Sequence, residues 1–148
     1  MTECIFCNLS KEENLTTKIW ENEKFFAILD LYPNTPGQVL VITKKHFNSN
    51  VLKMDKNYYA EFMLAAQEVS ELLVKKLNVK RVSLVIEGMG INHAHIKLYP
   101  MHGLEKEFVE TLGSHQVFFE KYAGHICTLM GPLANENELI KLAEEFKK

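Results

Sequence analysis

Apolar and polar positions divide the chain into a few well-marked segments. Phe25 to Leu29 is a continuous apolar run that enters a turn at Tyr32-Pro33-Asn34-Thr35-Pro36-Gly37, which no helix can traverse. Val39 to Ile42 follows, short and β-branched, and the two runs predict adjacent antiparallel strands. From Asp55 to Asn78 the period changes. Tyr59, Phe62, Met63, Ala66, Val69, Ser70, Leu73 and Leu77 recur at three- and four-residue spacing, which predicts a helix with one buried stripe. Asp55 suits its N-cap and Asn78 its stop. Val82 to Ile86 predicts a buried strand, Glu87 to Gly90 a flexible loop, and Ile91 to Tyr99 a strand ending at Pro100, the two strands forming a hairpin. Beyond Gly103 the pattern weakens. Val117 to Tyr122 and His125 to Met130 predict a second hairpin around Ala123-Gly124. Asn135 to Lys147 predicts a helix opened by a capping box, Asn135 with Glu138. Strands interleaved with one dominant helix give an α+β class, an antiparallel β-sheet with the long helix packed on one face.

The length of 148 residues suits one domain spanning 1–148, with residues 104–148 as a C-terminal extension whose role the pattern does not assign. Seventeen basic against nineteen acidic residues leave a net charge of -2. That balance excludes a disordered tail, a collagen-like repeat and an acidic solvating protein, and it argues against binding to nucleic-acid phosphates. A small charged ligand in one pocket remains compatible with it. No apolar run approaches the ~18 residues of a membrane helix, and Met1 to Leu9 has no signal-peptide character. Three cysteines cannot all pair within one chain, and Cys4 and Cys7 are two residues apart. In a cytoplasmic protein, the expected location, such a pair is more often a metal or redox site than a structural disulfide.

The strand from Ile91 to Tyr99 carries the chemistry. Alternation puts Ala94, Ile96 and Leu98 on the face that packs on the helix, and His93, His95, Lys97 and Tyr99 on the other. Two imidazoles and an ammonium in a row form a surface suited to an anion. A neutral imidazole, with an ordinary pKa of about 6.5, has a lone pair that can attack phosphorus. Gly88 and Gly90 permit close backbone approach, so that amide N–H groups can join a phosphate cradle, with Asn92 fixing the loop. The same H-x-H spacing also serves solvent-facing or metal-binding histidines, and spacing alone leaves these open.

Asn92-His93-Ala94-His95-Ile96-Lys97-Leu98-Tyr99-Pro100 resembles the signature strand of the histidine triad (HIT) superfamily. Phe26 to Asp30 and Gly37 to Phe47 resemble the family's two nucleotide-side strands, and Cys4-Ile5-Phe6-Cys7 its common opening, so the likeness covers roughly residues 3–103. The resemblance implies a HIT-like fold and a nucleotidyl hydrolase or transferase. Its substrates would be nucleoside 5'-phosphate derivatives, either phosphoramidates or dinucleoside polyphosphates. It implies His95 as the nucleophile, a covalent nucleotidyl-histidine, no metal in the chemistry, a purine nucleotide as ligand, and a homodimer. It places Asp30 against the ribose hydroxyls, and Phe6, Leu29 and Leu31 near the base pocket, although simple core packing is the favoured account of those three. Gly88, Gly90 and Lys97 would handle the phosphate.

Lys97 stands where the triad has its third histidine. It keeps a donor and adds a fixed charge, but it cannot act as a near-neutral acid–base group unless its pKa falls by some 3 units. The polar residue often seen before the signature is missing from Gly88-Met89-Gly90-Ile91. A nucleotide-binding module with little turnover and a zinc-stabilised interaction protein are therefore the rival functions. One branch of the family is similar in using a C-x-x-C, a later histidine and the first signature histidine as a structural zinc site, which implies Cys4, Cys7, His46 and His93 here. Two buried thiols with a capping histidine is the alternative. A thioredoxin-type pair is disfavoured because it should follow a strand and open a helix. His102, His115 and His125 are expected on the surface, and Trp20 and Tyr32 in core or dimer packing.

Overall fold

Residues 4–13, 15–104, 107–113 and 115–121 are described by a computed structural model. The chain divides into two units, Met1–Phe108 and Val109–Lys148. In the first, the elements in chain order are α1 (Ile5–Leu9), β1 (Lys18–Glu21), β2 (Phe25–Leu29), β3 (Val39–Thr43), a 3-10 turn (Val51–Lys53), α2 (Lys56–Leu77), β4 (Val82–Val85) and β5 (His95–Pro100).

The apolar runs of β2 and β3 pair antiparallel from Phe25↔Thr43 to Leu29↔Val39. They are apolar throughout because both of their faces are covered. On one face Phe25, Ala27, Val39 and Val41 pack against Phe62, Ala66 and Val69 of α2, with Phe25 and Phe62 stacked 5.1 Å apart. On the other face Phe26, Ile28, Leu40 and Ile42 pack against Phe6 of α1. Gly37 (φ 74°) closes the turn between the strands, where a Cβ would meet Leu77 at 2.5 Å. The five-stranded sheet has the order β1-β2-β3-β5-β4 with every neighbour antiparallel.

The long helix begins and ends as its sequence predicts. The Asp55 carboxylate accepts from the Asn57 and Tyr58 amides at 3.0 and 3.1 Å, and Asn78 leaves the helix in the left-handed region at φ 52°. No described helix is long and apolar enough to cross a membrane.

Several local expectations are corrected. β4 is an edge strand and only half-buried, because one side of its ladder has no strand beside it among the described residues. β5 begins at His95, not Ile91. Residues 91–94 are tied elsewhere: the His93 amide donates to the Ile91 carbonyl at 2.8 Å, the Ala94 amide to the Phe47 carbonyl at 2.9 Å, and the Asn92 side chain accepts from the Ser49 amide at 3.1 Å. Trp20 packs half-buried on the helix-side core, whereas Tyr32 is 90% exposed at the tip of the proline turn, which removes the core alternative for it and leaves dimer packing. Residues 117–121 carry no strand. Tyr122, the partner strand His125 to Met130 and the helix Asn135 to Lys147 lie outside the described residues.

Candidate functional site

The alternation of β5 holds in the structure. Ala94, Ile96 and Leu98 are buried towards α2. The register Ile42↔His95, Leu40↔Lys97 and Ser83↔Tyr99 sets the other three side chains on the opposite face, beside the apolar patch that α1 covers. That face is not the open surface its polarity suggested. His93 is 0% and His95 5% exposed, because the Phe6 ring stands edge-on to both at 5.7 and 5.3 Å.

The two imidazoles have opposite tautomers, set by backbone carbonyls, which can only accept. His93 Nε2–H donates to the Thr43 carbonyl at 2.7 Å, so its lone pair is on Nδ1. That Nδ1 lies 3.2 Å from Cys4 Sγ and 3.5 Å from Cys7 Sγ, and His46 Nδ1 lies 3.3 Å from Cys7 Sγ. All four ligand atoms fall within 4.8 Å of one another. Tetrahedral zinc with bonds of roughly 2.0–2.3 Å separates its ligand atoms by roughly 3.3–3.8 Å, so the cluster fits such an ion with little adjustment. If the cluster held an ion, the Thr43 carbonyl would be the outer partner that fixes the His93 ring. Burial lowers the His93 pKa against the opposing Thr43 hydrogen bond, keeping the ring neutral as a ligand must be. Burial also pushes the Cys7 thiol up, reinforced by Cys4. The pair does open a helix, since Cys4 is the N-cap of α1 and Cys7 lies within it, but no strand precedes it among the described residues.

His95 is arranged the other way. Its Nδ1–H donates to the His93 carbonyl at 2.7 Å, leaving the lone pair on Nε2. Burial lowers its pKa, the carbonyl opposes this, Lys97 lowers it further, and Glu87 and Asp30 pull upward, with a net shift down. The ring is neutral at pH 7.

Lys97 donates to Glu87 at 3.0 Å. Burial alone would lower the ammonium, but the hydrogen bond and charge of Glu87, with Tyr99 and Asp30, outweigh it and raise the pKa. Lys97 is therefore a fixed cation. Burial raises the Tyr99 phenol. The Asp30 carboxylate accepts from Gln38 Nε2 at 2.6 Å and from the Tyr32 amide at 2.9 Å, and its charge reaches His95, Lys97 and Tyr99. Asp30, His95 and Lys97 thus share one electrostatic neighbourhood.

Gly88 is buried at φ 68°, and a Cβ there would stand 2.6 Å from the Ser49 carbonyl oxygen. Packing of the loop accounts for that glycine, whereas Gly90 faces open space. Leu29 and Leu31 are 40% and 72% exposed, which overturns their core assignment, while Phe6 is buried. His102 and His115 are exposed, with His102 Nε2–H donating to the Pro36 carbonyl at 2.8 Å, and His125 lies outside the described residues. The sequence did not single out Gln38 or Glu87. Gln38 is buried and orients Asp30, and a polar residue entering an otherwise apolar strand was the available signal. Glu87 follows β4 and had no periodic signal.

Known proteins resemble this chain in sequence and in fold. Residues 11–106 match the family model described as HIT domain. An uncharacterised HIT-like protein of Methanocaldococcus jannaschii is 29% identical over 72% of this chain and 85% of its own length. The adenosine 5'-monophosphoramidase of Saccharomyces cerevisiae is 24% identical over 80% of this chain and 75% of its own. Among solved structures, a hypothetical histidine triad nucleotide-binding protein of Sulfolobus tokodaii superposes with a TM-score of 0.62 at 33% identity, over 69% of this chain and 71% of that one. A Zn-bound histidine triad family protein of Mycobacterium smegmatis gives 0.62 at 24% identity, over 70% and 78%.

Proposed function

The chain belongs to the HIT family, and from that premise we propose that it is a nucleotidyl hydrolase or transferase acting on nucleoside 5'-phosphate derivatives through His95. One observation carries the reading. His95 is neutral, its Nδ1–H is committed to the His93 carbonyl at 2.7 Å, and the lone pair on Nε2 is left for attack. Nε2 bonds to the α-phosphorus as the bond from phosphorus to the leaving group breaks, and the nucleotide becomes covalently attached to the ring. Water then adds to phosphorus, the P–N bond breaks, and the nucleoside monophosphate leaves. Lys97 holds charge that accumulates on the non-bridging oxygens, the amides of Gly88 and Gly90 add donors, and Asp30 takes the ribose hydroxyls.

A phosphoramidate is the substrate to try first, because the yeast relative carries that activity in its name. The four-residue cluster Cys4, Cys7, His46 and His93 suits a structural zinc, a reading that the zinc-bound neighbour supports. Such an ion would brace α1 against the sheet and take no part in the phosphorus chemistry. The same family premise extends to a purine nucleotide, a homodimer and a cytoplasmic location.

The test is incubation with an adenosine 5'-phosphoramidate. AMP release together with a nucleotidyl-protein mass adduct, both lost in His95→Ala, supports the enzyme. AMP release that survives His95→Ala refutes it. One observation favours a second reading: Lys97 is held above its ordinary pKa and retains its proton, so it is a weak acid for a departing group. Tight AMP binding without release would make the protein a nucleotide-binding module.

A further inference from the structure

Ion pairs in this unit differ in their exposure. The Lys18, Lys24 and Lys44 pairs use Glu21 or Glu61, whose side chains are 40% and 44% exposed. Such pairs contribute little and are screened by salt. In the Lys97 pair it is the acid that differs: Glu87 is 17% exposed, while Lys97, at 26%, is about as buried as Lys18 and Lys44, and the charges of both Lys97 and Glu87 reach His95. Withdrawing two charges from water is costly, and a pair placed on a candidate reaction face invites a functional account.

The geometry shows how the pair forms. Val85, the last residue of β4, lies opposite Lys97 in the ladder. Glu87, two residues further on, reaches back to the ammonium at 3.0 Å. Lys97 therefore has an anionic partner before any ligand arrives. We propose that Glu87 is the resting counter-ion of Lys97 and that a substrate phosphate binds by taking its place, so that Glu87 sets the affinity for the phosphate group. The inference rests on the nucleotide reading above and adds a positioning residue to it, one that acts on the phosphate through Lys97.

The charge balance gives the direction. A carboxylate and a phosphate compete for one ammonium and repel each other. Removing the carboxylate leaves Lys97 protonated and raises the local charge by one. Two unit charges roughly 6 Å apart in a largely hydrated setting change affinity by about three- to tenfold, and the effect shrinks as salt rises.

Calorimetric titration of the full chain with AMP, at low and at physiological ionic strength, tests this. Glu87→Gln should tighten AMP binding about three- to tenfold at low salt and less at high salt. Glu87→Asp, which keeps the charge, should stay within about twofold of wild type. Lys97→Met should weaken binding, and adding Glu87→Gln to it should tighten binding less than Glu87→Gln does with Lys97 present, because only the direct repulsion is then relieved. A Glu87→Gln variant that binds AMP as wild type does, or more weakly, overturns the proposal, as does equal tightening in the Lys97→Met background. A purely structural pair would lower the melting temperature and leave the salt dependence of AMP binding unchanged. Wild-type protein that binds no AMP and forms no adduct removes the functional reading together with the counter-ion role. AMP binding unaffected by Glu87→Gln removes the counter-ion role alone.

Discussion

Truncating two buried phenylalanines to alanine should have unequal costs, and the difference follows from what surrounds each ring. Phe62 is 0% exposed in the middle of α2, stacked on Phe25 and enclosed by the helix-side core. The 22-residue helix is held along the sheet by Ala65, Ala66, Val69 and Leu73 as well, so it cannot settle into the space left by one ring. Phe62→Ala should therefore cost the full range for such a cavity, about 3–5 kcal/mol. Phe6 is 4% exposed and covers Phe26, Ile28, Leu40 and Ile42, but α1 has only five residues and Phe6 is its one buried side chain. In protein stripped of metal by a chelator, so that no ion ties Cys4 and Cys7 to the sheet, this short helix can move inward or detach locally, which limits the penalty there to roughly the transfer term of the lost ring, about 2–3 kcal/mol. Urea unfolding of both variants in the metal-free state, read by tyrosine and tryptophan fluorescence, gives the two values. Equal costs would refute the argument from local collapse, and a Phe6→Ala cost near zero would refute the claim that α1 is packed on the sheet at all. The AMP-release assay on Phe6→Ala adds a functional readout, because that ring stands 5.3 Å from the His95 ring and its loss should lower the rate.

Gly88→Ala should cost about 2 kcal/mol or more, from the positive φ and the Ser49 carbonyl 2.6 Å from the new Cβ, whereas Gly90→Ala should stay within about 0.5 kcal/mol; thermal melts of the pair check the contrast. Metal analysis of the purified protein should find zinc, and Cys4→Ala or His93→Ala should lose it; full zinc content in either variant would refute the four-ligand set. Hydrogen bonds from Lys18 and then Lys44 hold the Glu21 carboxyl down at about 2. A depressed carboxyl stabilises the fold above its unfolded pKa of roughly 4.3 and loses that contribution as pH falls towards 2. Glu21→Gln should thus be less stable than wild type at pH 7 by no more than ~1 kcal/mol, since the side chain is 40% exposed, and the gap should close in acid; a gap that widens in acid would reverse the assigned sign.

Elements with a long or doubly buried apolar pattern were legible in the sequence. The 3.6-residue stripe gave α2 to its caps, and the unbroken runs gave β2 and β3 because both of their faces are covered. α1 and β1 escaped for the complementary reason. α1 buries one side chain over a single turn, and β1 is a half-exposed edge with a bulge between Lys18 and Trp20, so neither has room for a period. Leu29 and Leu31 misled because hydrophobicity records what a side chain prefers, not whether the chain supplies a cover. At the proline turn the described residues supply none.

The alternation of His93 and His95 showed which face they share but could not show which nitrogen each ring would offer. That choice depends on two carbonyls, one of them 50 residues away in sequence on β3. The Thr43 carbonyl turns the lone pair of His93 towards the two sulfurs, and the His93 carbonyl turns that of His95 to the opposite ring nitrogen. The H-x-H spacing left metal and phosphate as competing accounts because it treats the two rings as equivalent. Once their tautomers differ they are no longer equivalent, and the competition loses its basis: one short stretch offers a ring suited to a cation and a ring suited to phosphorus. The same peptide unit serves both, since the side chain of His93 faces the cysteines while its carbonyl holds His95. Disturbing the cysteine cluster should therefore be felt at the His95 ring, even though no cysteine lies on β5.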